Sequence, residues 1–183
     1  EKQTVLGSRL KVQGDPREPS TLNLERVRWH LIGHLQRNKA KPAVELFDLI
    51  HSADSIELIE DLERHAAKPV QGSRFKVEGK DTRIGVLVQV NVSGETSKFG
   101  CRPEEALALC RLMTQQPHLH LRGLMTIAPF VTDPQAARPH FRALRLLRDA
   151  IAATLNIEPR TLNLSMGMSQ DFEVAIEEGA DFV

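Results

Sequence analysis

The chain has 183 residues, of which 41% are hydrophobic and 26% charged, and its formal net charge is zero. That length suits one globular domain with a buried core, and balanced charge excludes a field over the whole chain that would attract nucleic acid or an anionic membrane. Two cysteines are too few for a disulfide framework. The sequence shows no apolar run of membrane-spanning length and no signal peptide. We therefore expect a single cytoplasmic domain over residues 1–183.

Strand patterns and helix patterns alternate along the chain. Residues 84–92 give the clearest strand, because an almost continuous apolar run is typical of a strand covered on both faces. In chain order the sequence predicts strand 27–33, helix 35–46 interrupted near Pro42, strand 47–52, helix 56–67 capped by Ser55, strand 84–92, helix 103–113, strand 119–127, helix 135–155, strand 161–166, helix 172–178 and a strand from Phe182 onward.

This alternation predicts parallel strands joined by right-handed crossovers. An open doubly wound sheet and part of a (β/α)8 barrel both fit, and both bind ligands at the carboxyl ends of their strands. Polar and small residues follow four of the predicted strands, at 33–34, 91–94, 126–129 and 165–169. We therefore expect these segments to line one shared pocket.

The segment 165–169, Ser-Met-Gly-Met-Ser, lies between a predicted strand and a predicted helix. Such a turn offers free backbone N–H groups, a helix N-terminus and hydroxyl donors, which together suit a phosphate group. The alternative is that Ser169 is only the N-cap of the following helix. The local pattern leaves both interpretations open.

Other kinds of site have weaker support in the sequence. Seven histidines are present, but neither His30 with His34 nor His118 with His120 comes with a convincing third metal ligand. The motifs of dinucleotide sites, P-loops and nucleophile elbows are missing. Aromatic residues make up 4% of the chain and tyrosine is absent, which disfavours nucleic-acid binding by stacking. The single tryptophan, Trp29, is expected to fill the core.

Three long motifs in order resemble a known family. Residues 29–39 (WHLIGHLQRNK) resemble Trp-His-Phe-Ile-Gly-x-Leu-Gln-x-Asn-Lys, residues 123–129 (GLMTIAP) resemble a Gly-Leu-Met-Thr-Ile segment, and residues 165–171 (SMGMSQD) resemble Ser-Met-Gly-Met-Ser-x-Asp. The shorter segments 51–55 (HSADS) and 90–95 (VNVSGE) also fit. On these motifs the chain is identified as a member of the YggS/PROSC group of pyridoxal 5′-phosphate (PLP) homeostasis proteins.

The resemblance implies a TIM-like α/β barrel similar to the N-terminal domain of alanine racemase. It implies PLP held as a Schiff base on a lysine, and a role in carrying or buffering PLP rather than catalysis. We also expect a monomer, with PLP-dependent apoenzymes as candidate partners. The residues expected to contact PLP are Ser165, Met166, Gly167, Met168 and Ser169 at the phosphate, and Ile32 and Gly33 near the ring.

The sequence departs from the family pattern at both ends. The Val-Ser-Lys-Thr stretch with the PLP lysine and the following Gly-Glu-Asn strand have no counterpart, and Lys2, Lys11 and Lys39 do not match that motif. The family's Arg-x-Gly would begin just past Val183. We therefore expect a barrel that lacks its first two strands and its C-terminal end, and that binds PLP weakly or without a covalent bond.

Two other functions remain open at this stage. One is a PLP-dependent amino-acid racemase or decarboxylase on the same barrel, which would need a positioned acid or base opposite the cofactor. The other is a barrel that binds a different phosphorylated metabolite without a Schiff base.

Overall fold

A computed structural model describes residues 27–67 and 83–183. Lys2 and Lys11, and with them part of the predicted domain 1–183, lie outside these residues. The described elements are β1 (His30–Leu31), α1 (Ala40–Leu46), β2 (Leu49–Ala53), α2 (Ile56–Ala66), β3 (Ile84–Gln89), α3 (Pro103–Thr114), β4 (Leu119–Met125), α4 (Arg138–Leu155), β5 (Asn163–Ser165) and α5 (Phe172–Glu177).

The five strands form one parallel sheet in the order β1-β2-β3-β4-β5. A parallel bridge between Ser165 and Phe182 extends the order by one more segment. The sheet is strongly curved. Its two edges approach each other, and the ring of His30 in β1 lies 5.4 Å from the ring of Phe182 beyond β5. The prediction of an incomplete TIM-like barrel is confirmed in the described part of the chain.

Side chains alternate between two faces of this curved sheet. On the convex face Ile50, Val86, Val88, Leu124 and Leu164 belong to a large core shared with the helices. On the concave face, which we call the lumen, a smaller cluster contains Leu49, Leu87 and Met125 with Phe182 packed against it. Both faces of β2 and β3 are buried, which explains their nearly continuous apolar sequence.

The short helix α5 is attached to α4 by a charged cluster around Glu178. Arg138, Arg142 and Arg145 project from α4 and each donates a hydrogen bond of 3.1 Å to the Glu178 carboxylate, which is 4% exposed. Burial would raise the pKa of Glu178, but the hydrogen bonds from the three arginines outweigh it and hold the pKa at about 2. The cluster therefore fixes α5, and with it the turn that precedes this helix.

Several predicted boundaries were wrong. Only His30–Leu31 pairs within the predicted strand 27–33. Trp29 is 53% exposed rather than in the core, and its N–H donates to Asp48 Oδ2 at 2.7 Å. The predicted helix 35–46 divides before Ala40, where a 3-10 turn (Arg37–Lys39) ends, and not at Pro42. Pro42 lies in the first turn of α1, where the missing N–H has no intrahelical acceptor to lose.

Candidate anion-binding site at the rim of the barrel

The carboxyl ends of β3, β4 and β5 are joined by hydrogen bonds at Thr126. Its hydroxyl donates to the Val90 carbonyl at 2.7 Å, and its backbone N–H donates to the Ser165 carbonyl at 3.0 Å. Both contacts are buried, because Thr126 is 3% exposed. The ends of these three strands are thus joined in one rim, which brings the predicted segments 126–129 and 165–169 together.

Asp171 closes the turn that follows β5. Its Oδ1 accepts from the Met168 N–H at 2.6 Å, and the Met168 carbonyl accepts from the N–H groups of Asp171 and Phe172 at 3.0 and 2.9 Å. Gly167 has a φ of +102°, and a Cβ there would lie 2.7 Å from the Cβ of Ala175. Only glycine fits this position without displacing α5.

The closed turn leaves backbone donors unused. Among the described residues, the N–H groups of Gly167, Ser169 and Gln170 donate to no protein acceptor, and the Ser169 hydroxyl has no partner either. Asp171, and not Ser169, is the N-cap residue of α5. Since α5 has only six residues, the unpaired amides rather than a helix dipole make the turn suitable for an anion.

The other predicted contact residues differ in what they present. The Met166 side chain is buried in the convex core and its N–H donates to the Phe182 carbonyl at 3.0 Å, so neither group is available to a ligand. The Met168 side chain is 60% exposed at the turn. Ile32 is 50% exposed just after β1, and the space around Gly33 is open.

A chain of polar side chains crosses the lumen directly below this rim. Ser165 Oγ lies 2.9 Å from His51 Nδ1, and His51 Nε2 lies 3.1 Å from His30 Nδ1. Burial, and next the neighbouring His30, lower the pKa of His51 to about 4. Burial also lowers the pKa of His30, although Asp48 acts in the opposite direction. Both imidazoles are therefore neutral at physiological pH.

Sequence reasoning did not assign His51 to the site. The available signal was the segment 51–55, which matched the family pattern, together with a histidine inside an otherwise apolar strand. Ser165 was expected at the phosphate, but its hydroxyl is bonded to His51 in the lumen.

Gln89 places a second buried polar group on the lumen side of β3. It is 3% exposed, and its Nε2 donates to the Phe99 carbonyl at 3.3 Å. Its Oε1 has no hydrogen-bond partner among the described residues. The Phe99 ring stacks on the His34 ring with centroids 3.8 Å apart, which joins the loop after β3 to the segment after β1.

The described residues contain no group of three or more histidine, cysteine or acidic side chains that could hold a metal ion. No helix in this part of the chain is long and apolar enough to cross a membrane. Cys101 and Cys110 are both buried, and burial raises the pKa of each thiol to about 12. Neither is a reactive thiolate.

Residues 21–183 match the family described as alanine racemase, N-terminal domain. The chain belongs to this family. Among curated members, it is 41% identical to the pyridoxal phosphate homeostasis protein of Aquifex aeolicus over 86% of this chain and 63% of the relative. It is 37% identical to the human pyridoxal phosphate homeostasis protein over 88% of this chain and 58% of the relative. The chain thus spans about three fifths of these family members.

Several solved structures are also similar to this chain. A protein from Bifidobacterium adolescentis matches with a TM-score of 0.71 and 39% identity, over 85% of this chain and 58% of that one. PipY of Synechococcus elongatus with PLP bound matches with a TM-score of 0.67 and 33% identity, over 85% of this chain and 66% of that one. A D-threonine aldolase from Filomicrobium marinum, at 21% identity and a TM-score of 0.57, shares the fold alone.

Proposed function

We propose that the protein to which this chain belongs binds PLP and takes part in PLP homeostasis, carrying or buffering the cofactor rather than catalysing a reaction. The observation that carries the proposal is the turn 165–171, whose three unpaired amides lie at the rim of a barrel similar to that of PLP-bound PipY. The relatives named pyridoxal phosphate homeostasis proteins support the same function. We also propose that residues 1–183 belong to one barrel domain and act as a monomer.

The residues at the rim fit such a group. Gly167, Ser169 and Gln170 would hold the phosphate through their N–H groups, with the Ser169 hydroxyl as a fourth donor. The exposed side chains of Ile32 and Met168 would supply apolar contact to the ring. PLP itself supplies an aldehyde that combines reversibly with primary amines. The motif that carries the family's PLP lysine has no counterpart in residues 1–183, so we propose no Schiff-base lysine among them.

The experiment uses the full-length protein incubated with PLP and dialysed. We expect a retained yellow absorbance, and borohydride reduction followed by mass spectrometry should find one PLP mass attached to a single lysine. Racemisation of alanine should proceed no faster than with free PLP. Complete loss of PLP on dialysis would contradict the binding proposal, and racemisation well above the free-PLP rate would contradict the non-catalytic role.

A further inference from the structure

The three-residue chain Ser165–His51–His30 connects the first, second and fifth strands across the lumen. Ser165 is the last member of this hydrogen-bonded series, and it is also the first residue of the turn that carries the unpaired amides. His51 is fully buried. Its only hydrogen-bond partners in the described part of the chain are the hydroxyl of Ser165 and the ring of His30. His51 therefore supports the turn from below.

The geometry leaves a place for one additional proton. When both imidazoles are neutral, His51 can donate through only one ring nitrogen, so its other nitrogen must accept a hydrogen bond. In the protonated ring both nitrogens donate, and each already faces an atom with a lone pair, Ser165 Oγ on one side and His30 Nδ1 on the other. Ser165 would then accept from His51 and have its own hydroxyl proton free for another acceptor.

We propose that His51 is a positioning residue for the turn 165–171, and that an anion bound at this turn draws one proton from solvent onto the His30–His51 pair. This rests on the proposed function, because the anion is the phosphate of PLP. Gly167, with the first unpaired amide, is two residues from Ser165, and each residue spans at most about 3.6 Å. With the Ser165 side chain, its 2.9 Å contact to His51 and the hydrogen bond to the anion added, a doubly charged anion there lies within about 15 Å of His51 and stabilises the protonated ring.

The charges around the pair favour this coupling. His30 is the group whose charge acts on His51, while Asp48 and Arg28 act on His30 with opposite signs. Phe182 packs on both rings and carries no charge. On β4, His120 and Arg122 lie at alternate positions nearer the N-terminal end of the strand. The turn itself carries the Asp171 carboxylate, whose Oδ1 accepts from the Met168 N–H. Of these charged groups only His30 acts on His51, so a doubly charged anion at the turn would add an attraction for the protonated ring that the free protein lacks.

The test follows the His51 ring by NMR in the full-length protein, titrated from pH 4 to 8 with and without saturating sulfate. Sulfate is the probe because it stays doubly charged over this range. We expect sulfate to raise the His51 pKa by about one unit or more, and by linkage the protonated protein should bind sulfate about tenfold more tightly. The ring signals of His118, paired with Glu63 at the start of β4, provide an internal reference. An unchanged His51 pKa would overturn the proposal.

The variant His51→Asn provides a second readout. Asparagine can keep a hydrogen bond to Ser165 but cannot take up the proton. Its sulfate affinity should therefore lose the pH dependence of the wild type while remaining measurable at pH 7. A pH dependence equal to that of the wild type would contradict the inference. If PLP is retained on dialysis and sulfate leaves the pKa of His51 unchanged, only this inference fails. Loss of PLP on dialysis would instead contradict the proposed function.

Discussion

Ser169 and Gln170 are neighbours on the same turn and allow a matched test of side-chain contact with the phosphate. Ser169→Ala removes a hydroxyl donor, so the affinity of the full-length protein for PLP should fall by roughly 1–2 kcal/mol, the scale of a charge-assisted hydrogen bond. Gln170→Ala keeps the backbone amide and should change affinity less than about twofold. Calorimetric titration measures both. Equal affinities for the two variants would show that the Ser169 hydroxyl does not bind the anion.

The lowered pKa of His51 makes folding stability depend on pH. Its pKa is about 4 in the folded chain against 6.5 for an ordinary histidine, so the unfolded state takes up the proton first. The contribution of neutral His51 to the free energy of unfolding is fully present above pH 6.5. It is lost as the pH falls toward 4, by up to about 3 kcal/mol. Urea unfolding between pH 4 and 7 measures this loss. The His51→Asn variant should show a shallower decline, and parallel curves would contradict the assignment.

The sequence predicts that a turn joins β5 to α5, but it does not predict which residues hold that turn in place. Ser165, Gly167 and Asp171 are close in sequence, so local rules for turns and helix starts apply to them. The contact between His51 and Ser165 joins residues 114 positions apart. No local pattern specifies such a pair, because it depends on how far the sheet curves.

At the level of elements, β4 and β5 approach closely at Gly123. This residue has a φ of +143°, and a Cβ there would collide with the backbone carbonyl of Asn163. We expect Gly123→Ala to destabilise the protein by about 3 kcal/mol or more, because the added Cβ strains the backbone and also breaks the contact between the two strands. Gly33→Ala is the control, since nothing lies within 4 Å of its Cβ position. Thermal unfolding should separate the two variants, and similar melting temperatures would contradict the prediction.

Element type was predictable where the hydrophobic period was long, and boundaries were less so. The apolar run from residue 84 correctly predicted β3, although the strand ends at Gln89 and not at residue 92. The amphipathic pattern gave α4, which begins at Arg138 after a 3-10 turn instead of at residue 135. Trp29 misled because its size suggests burial, whereas it precedes β1 at the margin of the sheet.

At the scale of the whole molecule, two apolar clusters share one sheet. Alternating strands and helices predicted the convex core, because crossover helices must cover that face. The lumen cluster of Leu49, Leu87, Met125 and Phe182 could not be read in the same way. Buried strands are apolar on both faces, so their sequence does not say which side chains meet inside a barrel.

The lumen cluster predicts that a single truncation on the concave face weakens the whole fold. Leu87 is fully buried between β2 and β4, so Leu87→Ala should cost roughly 2–4 kcal/mol by loss of burial and creation of a cavity. Leu146→Ala, on α4 at 57% exposure, should cost less than about 0.5 kcal/mol. Urea unfolding compares them. Because His51 and Phe182 border the same lumen, Leu87→Ala should also weaken PLP retention. A destabilised variant that retains PLP as well as the wild type would show that packing in the lumen does not affect binding at the rim.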